Sequence, residues 1–296
     1  MKVVIFGGSG FIGRFLVAHL TGKGSKVVIV SRSERRMDDP LTHCVTLSEL
    51  NDKIDQLEQA DAFVNLAGET INQRWTAKAK EKILTSRIDM TKKVAEIVNK
   101  LKYKPKVVMN SSAVGIYGMS ETQVFDERSM TQADDFLAKV VSKWEKAADA
   151  MADDTRLVKL RTGVVLGKHG GAFPLMALPY KFYVGGRIGS GNQWLSWIHI
   201  SDMVRLIEFC IRNENMHGSV NATAPTPVTN DEFGRILAKQ MNRPHYFPVP
   251  EFVFKFLFGE MSQLLLRGQR VLPRIAQEHG FTFTYPTLDK TIENIL

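Results

Sequence analysis

The chain has 296 residues, 44% hydrophobic and 24% charged, with a net charge of +8. Such a length can bury a large core, and the balance excludes a disordered or low-complexity polymer. No apolar run reaches the length of a membrane span, Met1-Lys2 leads straight into an apolar run without a signal-peptide pattern, and the two distant cysteines, Cys44 and Cys210, form neither a metal cluster nor a CxxC pair. A cytoplasmic protein is expected.

In chain order, Val3 to Phe6 is a short apolar run, and the stretch GGSGFIGRFLVAHL, residues 7–20, follows it. Ile12, Phe15, Leu16 and Leu20 repeat at helical spacing, Gly22 and Gly24 stop the helix, and Val27 to Val30 begins a second strand. This is one βαβ unit with Gly8-x-Gly10-x-x-Gly13 at its first turn, the setting in which that spacing binds a dinucleotide. The glycines permit the tight turn and the close approach of backbone N–H groups to a pyrophosphate, which the helix N-terminus also favours. Gly7, Gly8, Ser9, Gly10, Phe11, Ile12 and Gly13 are therefore candidate cofactor-binding residues. The second strand ends VVIVSRSERR, with Ser31 and Arg32 where an acid would bond a free ribose 2′-OH. A guanidinium there holds a 2′-phosphate, so NADP is expected over NAD.

Ala62 to Leu66, Val107 to Asn110 and Leu157 to Leu160 continue the alternation of short apolar runs with helical periodicity. Continuous apolar strands with helices between them imply an α/β fold, a Rossmann-type doubly wound parallel sheet covered on both faces. Ten Lys and Arg residues lie between Lys78 and Lys106, but they alternate with the stripe Ile83, Leu84, Val94, Ile97, Val98 and Leu101, with Tyr103 the one aromatic among them and no nucleic-acid motif. They read as a solvated helix face, and no nucleic-acid partner is expected. From Gly170 the rhythm changes to loops and a hairpin, with six Gly and two Pro before Asp202. Asp202 to Arg212 reads as a helix capped by Asp202, with Met203, Leu206, Ile207 and Cys210 inward, and Thr229 to Glu232 reads as a capping box. Phe252 to Leu266, broken by Lys255, Gly259 and Glu260, reads as a packed helix pair rather than a membrane element, and it offers a face for a homodimer. Residues 1–168 are expected to form the NADP-binding domain and residues 169–296 a smaller C-terminal α/β substrate lobe with an extension. The strand and helix near 197–225 return to the first domain.

The blocks FGGSGFIG, VNLAG, SSAVGIYG, LRTGVVLG and WIHISDMV occur in the order seen in extended short-chain dehydrogenases/reductases. NLAGETINQRWTAKAKEKILTSRI, GGRIGSGNQWLSWIH and the closing NATAPTPVTNDEF to FTFTYP resemble the atypical epimerase-family branch, including its C-terminal extension. The resemblance implies NAD(P)-dependent oxidoreductase or epimerase chemistry on a small polar substrate. It implies cofactor contacts from Leu66, Ala67 and Gly68, with Glu69 and Arg74 on the following loop. Ser112 resembles the family hydroxyl that bonds a substrate carbonyl, and Arg161, at a strand end, reaches toward the cofactor or an anionic substrate group. The family's chemistry rests on a Tyr-x-x-x-Lys pair in which lysine lowers the tyrosine pKa. Here the residues four after Tyr103, Tyr117, Tyr180, Tyr183, Tyr246 and Tyr285 are Val107, Glu121, Val184, Arg187, Pro250 and Asp289, so the pair is missing. Lys139 and Lys143 lie in the expected region, with Phe136 and Leu137 near the tyrosine position. Two expectations follow: an NADP-dependent enzyme with another proton donor, or a non-catalytic NADP-binding sensor or scaffold. Tyr117 reads as a turn residue and His199 as a satisfied core histidine.

Overall fold

The computed structural model describes residues 1–153 and 155–296. Strand side chains point alternately to opposite faces, so a strand apolar at every position is stable only in a sheet covered on both sides. β1 (Lys2–Phe6) is such a strand, with Val3, Val4, Ile5 and Phe6 fully buried. After it come α1 (Phe11–Thr21), β2 (Lys26–Ser31), β3 (Thr42–Thr46), β4 (Ala62–Asn65), α2 (Ala77–Lys100), β5 (Val107–Ala113), α3 (Phe136–Ala148) and β6 (Arg156–Thr162). A last strand, β7 (Gly218–Ala222), joins the far edge. The sheet order is β7-β6-β5-β4-β1-β2-β3, and every pair is parallel. The order reverses at β1, whose neighbours are β2 and β4, so the crevice for a ligand opens at the carboxyl ends of β1 and β4.

Each face carries its own core. Val3, Ile5, Val27 and Ile29 pack against Leu16 and Leu20 of α1 and against α5 (Ile200–Arg212), whose Met203, Leu206, Ile207 and Cys210 point inward. Val4, Phe6, Val28 and Val30 face Val94, Ile97 and Val98 of α2. Each such aliphatic side chain contributes about 1.5–3 kcal/mol by leaving water. The cap of α5 differs from expectation. It is His199, whose Nδ1 accepts the Ser201 N–H at 3.0 Å, while Asp202 lies a turn inside and is fully buried. Its carboxylate accepts the backbone N–H groups of Thr284 and Tyr285 at 2.9 and 2.8 Å and so ties the C-terminal segment to the helix.

Beyond β6 the chain makes a short antiparallel hairpin, Val164–Gly167 with Gly170–Gly171, and then α4 (Phe173–Lys181), a helix where loops and a hairpin were expected. Its Pro174 sits in the first helical turn, where no N–H is needed, so the proline that suggests a loop is compatible with a helix start. α4 packs with α6 (Asn230–Met241) and the C-terminal helix Leu288–Ile295 around Trp197 and Phe233. The capping box of α6 is present, with both Thr229 and Glu232 bonding as expected. The expected helix pair at 252–266 is only half packed. α7 (Glu251–Phe258) buries no residue, and Phe252 and Phe256 are 71% and 87% exposed, whereas Met261 and Leu264 beyond it pack inward. No helix among the described residues is long and apolar enough to cross a membrane.

Candidate functional site

The turn after β1 is held by glycine at two points of backbone contact. Gly7 has φ +78°, and a Cβ there would come within 2.9 Å of the Ala67 backbone nitrogen, so the exits of β1 and β4 touch. A Cβ on Gly13 would lie 2.4 Å from the Gly7 carbonyl oxygen, which is how the first turn of α1 packs onto the loop. Gly10 caps α1 with extended backbone, and no side chain bonds the first amides of the helix. The result is a bare helix N-terminus at the sheet's switch point, a cradle for a diphosphate. Ser9 is partly buried beside it. Phe11 contributes only backbone to this cradle, because its ring is covered by Gly170 and Gly171 of the hairpin.

At the exit of β2, Ser31 is buried and its hydroxyl is held by the Ser33 carbonyl, so it anchors the turn rather than facing a ligand. Arg32 is exposed and makes no ion pair or hydrogen bond to a described residue. At the exit of β4, Asn65 is fully buried. Its Nδ2 donates to Asn110 Oδ1 at 2.7 Å and its Oδ1 accepts the Ala67 N–H at 3.2 Å, which sets the path of Leu66 to Gly68. Glu69 donates its backbone N–H to Ser86 Oγ at 3.1 Å, and its carboxylate sits 3.3 Å from Lys82. Arg74 is exposed, and its guanidinium has no partner among the described residues.

The register places Ser112, Arg161 and Asn221 abreast on β5, β6 and β7. They join a buried chain that sequence reading missed. Ser112 Oγ donates to Glu145 Oε1 at 2.5 Å, and the Arg161 guanidinium grips both Glu145 oxygens at 2.9 Å. Arg161 also donates to the Tyr117 hydroxyl at 2.9 Å, which donates in turn to Asn221 at 2.8 Å. Ser112 and Arg161 are 3% and 6% exposed, and the substrate and cofactor contacts expected of them compete with this buried network, which already engages both side chains. Tyr117 is fully buried, and burial pushes its phenol up to about 12, against proton transfer near neutrality. His199 is likewise a core residue, 3% exposed, with Nε2 3.1 Å from Asn294.

Residues 3–222 match the NAD dependent epimerase/dehydratase family, and residues 249–295 match a domain of unknown function, DUF1731. The chain belongs to the NAD dependent epimerase/dehydratase family. Its relatives include the epimerase family protein YfhF of Bacillus subtilis, 43% identical over 100% of this chain and 98% of that one. The chloroplastic SDR39U1 homolog of Arabidopsis thaliana is 38% identical over 100% of this chain and 87% of its own. Among solved structures, human epimerase family protein SDR39U1 (isoform 2) with NADPH superposes with a TM-score of 0.92 at 36% identity, covering 100% of this chain and 99% of that one.

The start of α3, where the tyrosine of the family pair is expected, is packed with apolar side chains. Phe136, at the start of α3, packs edge-on against Trp75 with ring centroids 5.2 Å apart. Leu137 faces Gly115, with its Cβ 3.8 Å from where a Gly115 Cβ would stand. One turn along α3, Val140 and Val141 are 3% and 4% exposed. Phe136, Leu137 and the two positions a turn beyond them are therefore all apolar and packed, and neither register yields a tyrosine with a lysine. Lys139 and Lys143 are exposed on the other face.

Proposed function

We propose that the protein is an NADP-dependent oxidoreductase of the epimerase family that acts on a small substrate without a Tyr-x-x-x-Lys pair. The observation that carries this reading is the cradle of Gly7, Gly10 and Gly13, which backbone contacts keep free of side chains at the switch point of the sheet. The residues present fit the cofactor. The turn and the bare end of α1 would take the diphosphate, Leu66 to Gly68 would line the crevice beside it, and the free guanidinium of Arg32 would take the 2′-phosphate. Bound there, NADP supplies a hydride donor or acceptor. The chain's own part is to hold and orient. Trp75, Phe136 and Leu137 exclude water from the reacting end of the crevice, and Arg74 stands at its rim for an anionic substrate group.

A second reading, a non-catalytic NADP-binding sensor or scaffold, is favoured by the same apolar lining. Titration calorimetry with NADPH followed by NADPH absorbance against carbonyl compounds and nucleotide sugars separates the two. Binding with substrate-dependent oxidation supports the enzyme, binding without turnover supports the sensor, and no binding refutes both. The same proposal includes a cytoplasmic location, a small-molecule partner, and no nucleic-acid or membrane partner. It is supported by the ion pairing of Lys80, Lys82 and Lys93 within the basic stretch. The exposed face of α7 supports a homodimer.

A further inference from the structure

Arg87 lies in the middle of α2, a helix whose inward positions are otherwise apolar or uncharged: Ile83, Thr91, Val94, Ala95, Ile97 and Val98. Its stem lies against the exit of β4, with Cγ and Cζ each 3.4 Å from where a Gly68 Cβ would stand. The guanidinium lies over the Trp144 ring, 5.2 Å from its centroid. Its one side-chain hydrogen bond runs from Nη1 to the Ile83 carbonyl at 2.9 Å, and among the described residues no carboxylate pairs with it. The adjacent acid, Glu69, pairs with Lys82 instead. Burial holds the Arg87 pKa below its ordinary value, with the Glu69 charge opposing. Arg87 is partly buried. A guanidinium has five N–H donors and is costly to desolvate without an anion, yet this one lies against the exit of β4 with one side-chain hydrogen bond among the described residues.

Its position says which anion it awaits. Gly68 is one residue past Ala67, whose backbone touches Gly7 of the phosphate-binding turn. Arg87 therefore stands on the α2 side of the crevice, while the turn and the α1 N-terminus stand on the other. We propose that Arg87 is a phosphate-binding residue, taking oxygens of the dinucleotide's diphosphate or of a phosphorylated substrate lying beside it. The inference rests on the cofactor reading above and adds a second wall to the site. A planar fork suits phosphate because it engages two oxygens at once, and Trp144 fixes the plane of the fork before the ligand arrives.

The test is calorimetry on the full chain with Arg87→Met, which keeps an unbranched stem against Trp144, and with Arg87→Lys, which keeps the charge. NADPH and its fragment adenosine 2′,5′-bisphosphate are titrated into each, and UDP is titrated into the NADPH-loaded proteins. For the cofactor source, Arg87→Met weakens NADPH by about tenfold or more and the fragment by less, and Arg87→Lys recovers part of the loss. For the substrate source, NADPH affinity is unchanged and UDP binding to the loaded protein is lost in Arg87→Met. Unchanged NADPH affinity with unchanged or absent UDP binding overturns the proposal. Equal losses for every ligand in both variants, with a lowered unfolding temperature, also overturn it, because they mark a packing role. Wild-type protein that binds no NADPH refutes the cofactor reading instead, and UDP titrated into the unloaded wild type and Arg87→Met then decides Arg87: loss in the variant supports the phosphate role, and unchanged or absent binding overturns it.

Discussion

Glu145→Gln tests the buried network directly. Glu145 and Arg161 are each 6% exposed and meet through two contacts of 2.9 Å, so removing the negative charge strands a guanidinium beneath the sheet edge. Breaking one partner of a buried pair costs about 3–5 kcal/mol, and the amide keeps one acceptor, which places the cost near the lower end, at about 3 kcal/mol. With about 2.1 cal/mol/K of unfolding entropy per residue, 296 residues give about 0.6 kcal/mol/K, so the midpoint should fall by about 5 °C. Replacing both partners with Met should recover much of that loss, since the desolvation of two charges is avoided; Ser112 alone then lacks its acceptor. Thermal unfolding of the wild type, Glu145→Gln, Arg161→Met and the double Met variant, with NADPH affinity measured on each, reads both quantities. The affinity should be unchanged, because the network lies below the crevice. A midpoint shift under about 1 °C for Glu145→Gln would refute the energetic argument. Loss of NADPH affinity in Arg161→Met without loss of stability would return Arg161 to the cofactor.

Gly13→Ala should remove NADPH binding and lower stability by about 1–3 kcal/mol, because its Cβ would meet the Gly7 carbonyl at 2.4 Å; calorimetry and thermal unfolding check it. Arg32→Ala should cut the preference for NADPH over NADH by about tenfold while leaving NADH affinity unchanged, and equal titrations of the two cofactors in the variant and the wild type would remove Arg32 as the 2′-phosphate anchor. Glu208 joins α5 to α1 through His19 at 2.6 Å and Lys23 at 2.5 Å, and bonds Arg212 at 2.8 Å. Burial raises its pKa, but these hydrogen bonds outweigh it and hold the carboxyl at about 2, against an ordinary 4.5. A depressed carboxyl contributes stability that is full above its unfolded pKa and is lost as the pH falls through the folded one. The unfolding midpoint should therefore drop between about pH 4.5 and 2, and Glu208→Gln should flatten that part of the curve.

The glycine turn, the parallel sheet and the missing tyrosine were legible because each is a local pattern. A backbone that touches a backbone requires glycine, and a strand buried on both faces requires apolar residues throughout. The Ser112, Glu145 and Arg161 cluster was not legible, because its members meet only once sheet register sets Ser112 beside Arg161 and α3 lies over both. A signal did exist for Glu145. Val141, Trp144, Glu145 and Ala148 form the buried stripe of α3, and an acid in an apolar stripe marks a paired charge. Reading Ser112 as a site residue took the strand-end position correctly, but which way that residue faces is decided by the pleat.

The same signal, a charge inside a helix stripe, occurs at Arg87, and the contrast between the two sites separates structure from function. Arg161 and Glu145 satisfy one another and are sealed under the sheet edge, so the fold accounts for both. Arg87 interrupts the inward stripe of α2, partly buried, yet among the described residues it is paired with one carbonyl and an aromatic ring and with no carboxylate. A partly buried cation without an anion costs some desolvation energy, and a group that arrives from outside would offset it. Arg32 is the remaining case: exposed and unpaired among the described residues, it is inexpensive to keep, so the proposed role in selecting a 2′-phosphate would leave the fold unaffected. The three arginines thus divide by their partners, and Arg87, which is costly to keep without a ligand, is where the folding physics and the proposed phosphate site make the same demand.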